Sequence, residues 1–400
     1  MPTTPDRTGD AAFVEALTDD DTPSRHSIGA LPLKFRLIFV AMLSLIATLM
    51  YGVGAAGLAP DSAHWPEPVT WSIRLGLAAA TVLLVVTTLL ANAGKGSDSA
   101  GRVAHVLLGV GWILFSWTLL VSLVRIPLPF FGIDAQTLSR VTSVAIAVIV
   151  VALSVGGFVA ARRVPAVRET TVSISGLQAP LSVAVLTDTH FDGWTTAAWA
   201  RAVVERVNGL GADIVVHAGD LADGSVAQRR DQVAHLADIK AGVRCYIAGN
   251  HEYYSDAAAW LGHMGSLGWS VLVNQHLVVP GLVIAGIDDP TGTGMAGRGP
   301  DLDAALSGAP DLPVLLLAHQ PHQVHGVLDR VDLQISGHTH GGQIWPFHHL
   351  VKLREPVVQG LARMSKRTQI YVSRGTGFWG PPFRVFAPSE ISLLRLEPCA

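Results

Sequence analysis

Four stretches without a single Lys, Arg, Asp or Glu limit the architecture of this 400-residue chain more than anything else in it. They are Leu37–Ala59, Leu75–Ala93, Val103–Val124 and Val141–Ala161, each about 19–23 residues long. A helix rises about 1.5 Å per residue, so each is long enough for the roughly 30 Å hydrocarbon layer of a bilayer. Soluble core helices would show polar faces, and these hardly do. A secretory signal would be one shorter run ahead of a cleavage site. The expectation is an all-α four-helix transmembrane domain over residues 31–161. Before it, residues 1–30 read as a disordered polar tail with an acidic cluster at Asp19-Asp20-Asp21. After it, residues 162–177 read as a linker and residues 178–400 as a second domain.

The short loops give an orientation. Arg7, Arg25, Lys34, Arg36, Lys95, Arg102, Arg162, Arg163 and Arg168 fall on one side of the membrane, against Arg74, Arg125 and Arg140 on the other. Cytoplasmic loops carry the excess of Lys and Arg, which puts the N-terminus and the second domain in the cytoplasm. Trp65, Trp71, Trp112 and Trp117 include candidate interfacial anchors. His105, near the start of the third span, is a polar group that reads as interfacial.

From residue 178 the pattern changes. Leu181–Leu186, Ile214–Ala218, Val243–Ala248, Leu315–Ala318 and Leu333–Ser336 are short apolar runs with the look of buried strands, alternating with helical stretches such as Ala197–Leu210, Ala227–Ala241 and Asp256–Leu267. After about residue 269 the runs crowd together, as a second, partly antiparallel sheet would require. Polar residues stand just past each run: Asp188 and His190, then Gly219-Asp220, then Gly249-Asn250-His251-Glu252, then His319, and finally Gly337-His338-Thr339-His340-Gly341-Gly342-Gln343. Open α/β sheets build their sites at those strand ends. Two histidines at i and i+2 project the same way from an extended segment, and glycines let the backbone crowd close to whatever they hold. The donors mix carboxylate, amide and imidazole, which suits Mn, Fe, Zn or Co. They are too many for one ion. Two metals about 3.5–4 Å apart would use them all, with Asp220 as the natural bridge.

The ordered series Asp-x-His, Gly-Asp-x-x-Asp, Gly-Asn-His-Glu, His, Gly-His-x-His resembles the calcineurin-like metallophosphoesterase superfamily over about residues 178–396. Gly-His-Thr-His-Gly-Gly-Gln, with Gly286-Ile287-Asp288-Asp289 before it, is most similar to its membrane-associated bacterial branch, which includes UDP-2,3-diacylglucosamine pyrophosphohydrolase-like proteins. The resemblance implies an α/β fold of two packed sheets flanked by helices and a pair of divalent transition metal ions. Asp188, His190, Asp220 and His340 would hold the first ion, and Asp220, Asn250, His319 and His338 the second. His251 would face the leaving-group oxygen, and Asp223 would orient His251. Gly224 stands where the protein-phosphatase branch carries a phosphate-binding Arg, which turns the reading away from phosphoproteins. The activity implied is hydrolysis of a phosphodiester or pyrophosphate bond by a metal-bridged hydroxide, with a lipid-linked phosphoester as the economical substrate of a membrane-anchored enzyme. The alternative is a non-catalytic membrane scaffold or sensor built on a metal-binding domain.

Other polar residues read more plainly. His217 sits inside a strand and is expected to donate to a core neighbour. His235, His263 and His276 read as surface groups, and His322 and His325 as a surface helix. His348 and His349 are candidates for a substrate rim, and Arg374 for a phosphate contact or an ion pair. Asp288 and Asp289 read as loop groups, and Thr291–Pro300, with four glycines and Arg298, as either a lid bearing a phosphate contact or a mobile surface loop. Cys245 and Cys399 have neither metal spacing nor a reason to pair. Net charge is −3 with no basic stripe, so nucleic acid is not an expected partner.

Overall fold

The structure, a computed structural model, describes residues 33–92 and 97–399, so the tail expected at 1–30 lies outside the described residues. The four apolar stretches lie in helices α1 (Leu33–Leu58), α2 (Glu67–Ala91), α3 (Asp98–Arg125) and α4 (Ala135–Arg162), all long and apolar enough to cross a membrane. Their starts are written locally. Ser97 caps α3 by accepting from the Ala100 amide, and Asp134 caps α4 by accepting from the Thr137 amide. Small residues set the packing. A Cβ added at Gly54 would collide with Leu114, and one at Gly57 with Thr118, so glycine lets α1 close on α3. The Ser143 hydroxyl on α4 donates to the Gly57 carbonyl at 2.8 Å.

Residues 162–177 depart from the expected linker. Ala166–Ser175 forms a ten-residue strand, β1, held in the sheet along its whole length. Its outer half is exposed and carries Arg168, Glu169 and Thr170, so it offers no apolar run to a sequence reading.

The order then runs β2 (Leu181–Leu186), α5 (Ala197–Asn208), β3 (Ile214–Ala218), α6 (Val226–Val233), β4 (Val243–Ile247), α7 (Asn250–Ser255), α8 (Ala257–Ser266), β5 (Ser270–Val271), β6 (Gln275–Val279), β7 (Leu282–Gly286), α9 (Leu302–Leu306), β8 (Val314–Leu317), β9 (Leu333–Ser336), α10 (His348–Val351), β10 (Gly360–Arg363), β11 (Gln369–Val372) and β12 (Glu390–Cys399). One sheet has the order β1-β12-β2-β3-β4-β5, and the other β10-β11-β9-β8-β7-β6. Both are mixed: β2 to β5 run parallel, β12 antiparallel to β2, and β6 and β10 antiparallel to their neighbours. The expected two-sheet α/β sandwich is therefore the fold.

Alternation explains the layers. Val183 and Val185 of β2 point between the sheets and meet Ile284, Leu315, Leu317 and Ile335 from the second sheet. Ala184 and Leu186, one residue out of phase, point outward against Val203, Val207 and Trp260 of the covering helices. Strands buried on both faces read as continuous apolar runs, which is why the sequence exposes them.

The two halves touch along α3. Asp98 pairs with Arg229, Arg102 lies over the Trp194 ring at 5.8 Å, and His105 packs against Gly380. One further turn on, Gly109 leaves room for the Phe383 ring. Trp112 Nε1 donates to the Ile344 carbonyl at 3.2 Å, and Trp117 sits 5.3 Å from Trp345. Positions 98, 102, 105, 109 and 112 recur at spacings of four and three, so one face of α3 is a docking stripe, with Trp117 to one side of it. His105, Trp112 and Trp117 thus each touch the second domain. Helix α4 adds the Gly157 carbonyl, which accepts from the Arg384 amide at 2.9 Å, and Phe158, edge-on to Trp194.

Candidate metal centre

The polar residues singled out by sequence converge where the parallel strands end. Ten non-glycine residues among those described have positive φ, and five of them are Asp188, His190, Asp220, His338 and His340. A non-glycine residue in the left-handed region holds a conformation that its Cβ disfavours, and such strain gathers at functional sites. Each of the five lies in the turn after β2, β3 or β9, where the chain must reverse sharply while aiming a side chain inward.

Among the described residues three groups of donors form, and two of them flank Asp220. His340 Nε2 lies 3.4 Å from Asp188 Oδ1 and 3.1 Å from His190 Nε2, and His190 Nε2 lies 3.7 Å from Asp220 Oδ2. On the other side of Asp220, His319 Nε2 lies 3.1 Å from the same Oδ2, and His338 Nδ1 lies 2.9 Å from Asn250 Oδ1. Asp188, His190 and His340 can place ligand atoms within 4.8 Å of one another, and so can Asp220, His319 and His338. Asp220 stands between the groups.

The donor chemistry fits a cation. His319 Nδ1 faces the Ala218 carbonyl at 2.8 Å, and a carbonyl only accepts, so Nδ1 carries the proton. Nε2 points into the cluster, 3.1 Å from Asp220 Oδ2; burial opposes charge there, but Asp220, Asp188 and Asp289 outweigh it and hold the His319 pKa well above the usual value, so the site favours a positive charge. Imidazole nitrogens and carboxylate oxygens packed this closely are a donor set that suits divalent transition metal ions.

Asp223 joins the cluster to His251. Its Oδ1 is 2.6 Å from His251 Nδ1 and 3.1 Å from His190 Nδ1. Burial alone would favour the neutral acid, but the two imidazoles hold the Asp223 carboxyl well below the usual range. Burial opposes charge on His251, yet Asp220 and Asp223 outweigh it and raise its pKa to about 9. His251 Nε2 lies 4.0 Å from Asp220 Oδ2, and with His190 and Asp223 it makes a third group whose ligand atoms can lie within 4.8 Å of one another, sharing His190 with the first.

The family model for calcineurin-like phosphoesterases matches residues 181–342. A metallophosphoesterase of Campylobacter jejuni is 34% identical over 314 residues, covering 75% of this chain and 83% of that one. This chain belongs to the metallophosphoesterase family. A metallophosphoesterase of Helicobacter pylori is 38% identical over 238 residues, which span 58% of this chain and 64% of the relative's own length. A Danio rerio protein described as a transmembrane protein with metallophosphoesterase domain is 34% identical, covering 62% of this chain and 61% of that one.

Three groups in this metallophosphoesterase centre escaped the sequence reading. Glu252 is fully buried, and its carboxylate accepts the Gly249, Asp220 and Leu221 amides, so it ties the turn before Asn250 to the turn carrying Asp220. The motif displayed it without revealing its target. Arg384 is buried and donates to the His340, Gly377 and Ala387 carbonyls, fixing the second histidine's turn. Arg229 Nε donates to the Asp223 carbonyl at 2.9 Å while its guanidinium grips Asp98. No sequence signal links residues so far apart.

The secondary candidates settle into structural roles. Arg374 pairs with Glu390 at 2.6 Å. Asp288 accepts from Tyr253, and Asp289 from Gln320 and Thr291. His217 Nε2 meets the Thr189 hydroxyl at 3.0 Å, inside the core as expected. His322 pairs with Glu355, and His348 and His349 stack on each other at 3.9 Å, with the His348 backbone packed against Gly342.

Proposed function

We propose that the chain is a membrane-anchored, metal-dependent hydrolase of phosphodiester or pyrophosphate bonds. The observation that carries this is the convergence of Asp188, His190, Asp220, Asn250, His319, His338 and His340 into two donor groups sharing Asp220, with the Asp223–His251 pair beside them. The first group with Asp220 would hold one divalent ion, and the second, with Asn250, the other. Bound there, such ions would supply charge neutralisation on the phosphoryl oxygens and a nucleophile at neutral pH. The chain itself would do the rest. His251, kept protonated by its carboxylate neighbours, would give its Nε2 proton to the departing oxygen, and Asp223 would fix the ring that does so. The Asp188 and Asp220 carboxylates, which accept the His338 and His251 amides, would keep the turns from relaxing when substrate leaves.

The domain plan follows the same reading: a polar tail at 1–30, four spans over 31–161, and a catalytic domain from about residue 166 rather than 178. The Lys and Arg distribution supports a cytoplasmic catalytic domain. Attachment to the bilayer makes a lipid-linked phosphoester the economical substrate. Purified protein supplied with Mn should hydrolyse bis-p-nitrophenyl phosphate. Asp220→Asn should lose about 100-fold or more, since it removes charge shared by both groups, and His251→Ala should lose less with this good leaving group. Equal turnover in wild type and both variants would sink the reading.

A further inference from the structure

The catalytic half does not hang below the spans; it packs along their apolar length. Trp345 meets α3 at Trp117, fourteen residues past Val103, the first residue of the uncharged stretch. At 1.5 Å per residue that is roughly 20 Å along a stretch that needs about 30 Å to cross. Ile344, Phe383 and Val385 form one apolar cluster with Ile113, bordered by Val110, Val150 and Leu153 of the spans. The polar turns beside these loops cannot enter hydrocarbon, so the first turns of the stretch stand outside it and the loops lie at its near edge.

The outward side chains of the same two loops have the matching chemistry. Phe347, Leu350 and Leu353 are 41%, 50% and 83% exposed, at helical spacing of three. Phe386 is 69% exposed and has φ of 58°, a left-handed backbone that favours glycine, so its ring is held outward against backbone preference. Water offers no return for that arrangement. The patch continues onto the exposed apolar faces of α3 and α4, which include Leu119, Leu123, Val151 and Val155. His349 and Lys352 lie between the apolar positions on the same segment, as in helices that rest at a bilayer surface.

We propose that residues 344–353 and 383–386 form a wedge seated at the near edge of the acyl region of the bilayer, so that the metal centre lies at the membrane surface and takes phosphoesters carried on amphiphiles in the same leaflet. The centre is close by: His340 and Ile344 are four residues apart. Gln343 Nε2 donates to the Trp379 carbonyl at 2.7 Å, and the half-exposed Trp379 ring stands 5.8 Å from His251. An amphiphile with its chain beside Phe386 would pass Trp379 to bring its phosphate to His251. The substrate part rests on the function proposed above; the wedge does not.

The test uses the full chain in nanodiscs. With Cys399→Ser as background, since Cys245 is buried, single cysteines replace Leu353, Phe386 and Lys366. Lys366 precedes β11 at the sheet edge away from the site and serves as the exposed control. A fluorescent label at Leu353→Cys or Phe386→Cys should be quenched several-fold more by acyl-chain spin-labelled lipid than the label at Lys366→Cys. Equal weak quenching would overturn the wedge. So would protection from a water-soluble maleimide without quenching, which would mean that a protein covers the patch. For the substrate, the Leu350→Asp/Leu353→Asp double variant should stay within twofold of wild type on bis-p-nitrophenyl phosphate. It should lose about tenfold on vesicles bearing a diacylglycerol p-nitrophenyl phosphodiester. An equal fall on both would overturn the delivery role. A wild type inactive on both would instead sink the proposed function and leave the quenching result standing.

Discussion

At the residue scale the centre turns on Asp223, whose single oxygen Oδ1 serves His251 at 2.6 Å and His190 at 3.1 Å. A side chain that orients both a candidate ligand and a candidate proton donor should fail in two ways at once. Asp223→Asn keeps the shape but replaces a charge-assisted acceptor with a neutral amide. The Mn concentration for half-maximal activity should rise about 10- to 100-fold, as for groups that orient a ligating histidine. Independently, turnover at saturating metal should fall about 100-fold on an alkyl phosphodiester and less on a p-nitrophenyl one, because only the poorer leaving group needs the proton. Metal titration beside a leaving-group comparison separates the effects. If the variant matched wild type in both, the hub role would be wrong. Asp223 was legible because it stands three residues after Asp220 in a known pattern. Glu252 was visible in the same pattern, but its targets are backbone amides of two separate turns, and amides leave no mark in a sequence.

At the scale of elements, α3 matters more than its composition suggests. It was legible as a long apolar helix because apolar length is a one-dimensional property. Its docking stripe was not, since Asp98, Arg102 and His105 only acquire meaning opposite Arg229, Trp194 and Gly380. The bidentate Asp98–Arg229 pair, at 2.6 and 2.9 Å, ties the first turn of α3 to α6, and Arg229 continues to the Asp223 carbonyl. Asp98 is half exposed, so the pair should be worth about 1 kcal/mol or less in a double-mutant cycle of Asp98→Asn and Arg229→Gln. The more telling readout is local. In Asp98→Asn, hydrogen exchange should rise across residues 223–233 and stay unchanged in β8 and β9, which the pair does not reach. Uniform protection in both proteins would show that the pair contributes no ordering. β1 makes the complementary point: a strand exposed along its outer half reads as linker until its partner β12, more than two hundred residues on, is known.

For the whole molecule, the sheets and the centre were legible because buried parallel strands write themselves as apolar runs and the ligands stand at their ends. The junction of the two halves was hidden, because the loops that make it, 343–347 and 378–386, look like ordinary connections around a motif. Part of their burial is against the other half: Ile344, Phe383 and Val385 are buried in one cluster with Ile113. That distinguishes this chain from an enzyme merely tethered to a membrane. A tethered domain, cut free at its linker, should dissolve with its site intact. Residues 164–400 alone retain every candidate ligand and all twelve strands, yet would expose Ile344, Trp345, Phe383 and Val385 beside the already exposed Phe347, Leu350 and Phe386. An apolar patch of that extent drives association. The expected outcome is that this fragment elutes as a large aggregate on gel filtration without detergent and becomes monodisperse when a mild detergent covers the patch. A fragment that runs as a monomer in plain buffer would show that the halves meet only in passing. The spans would then be an anchor and nothing more.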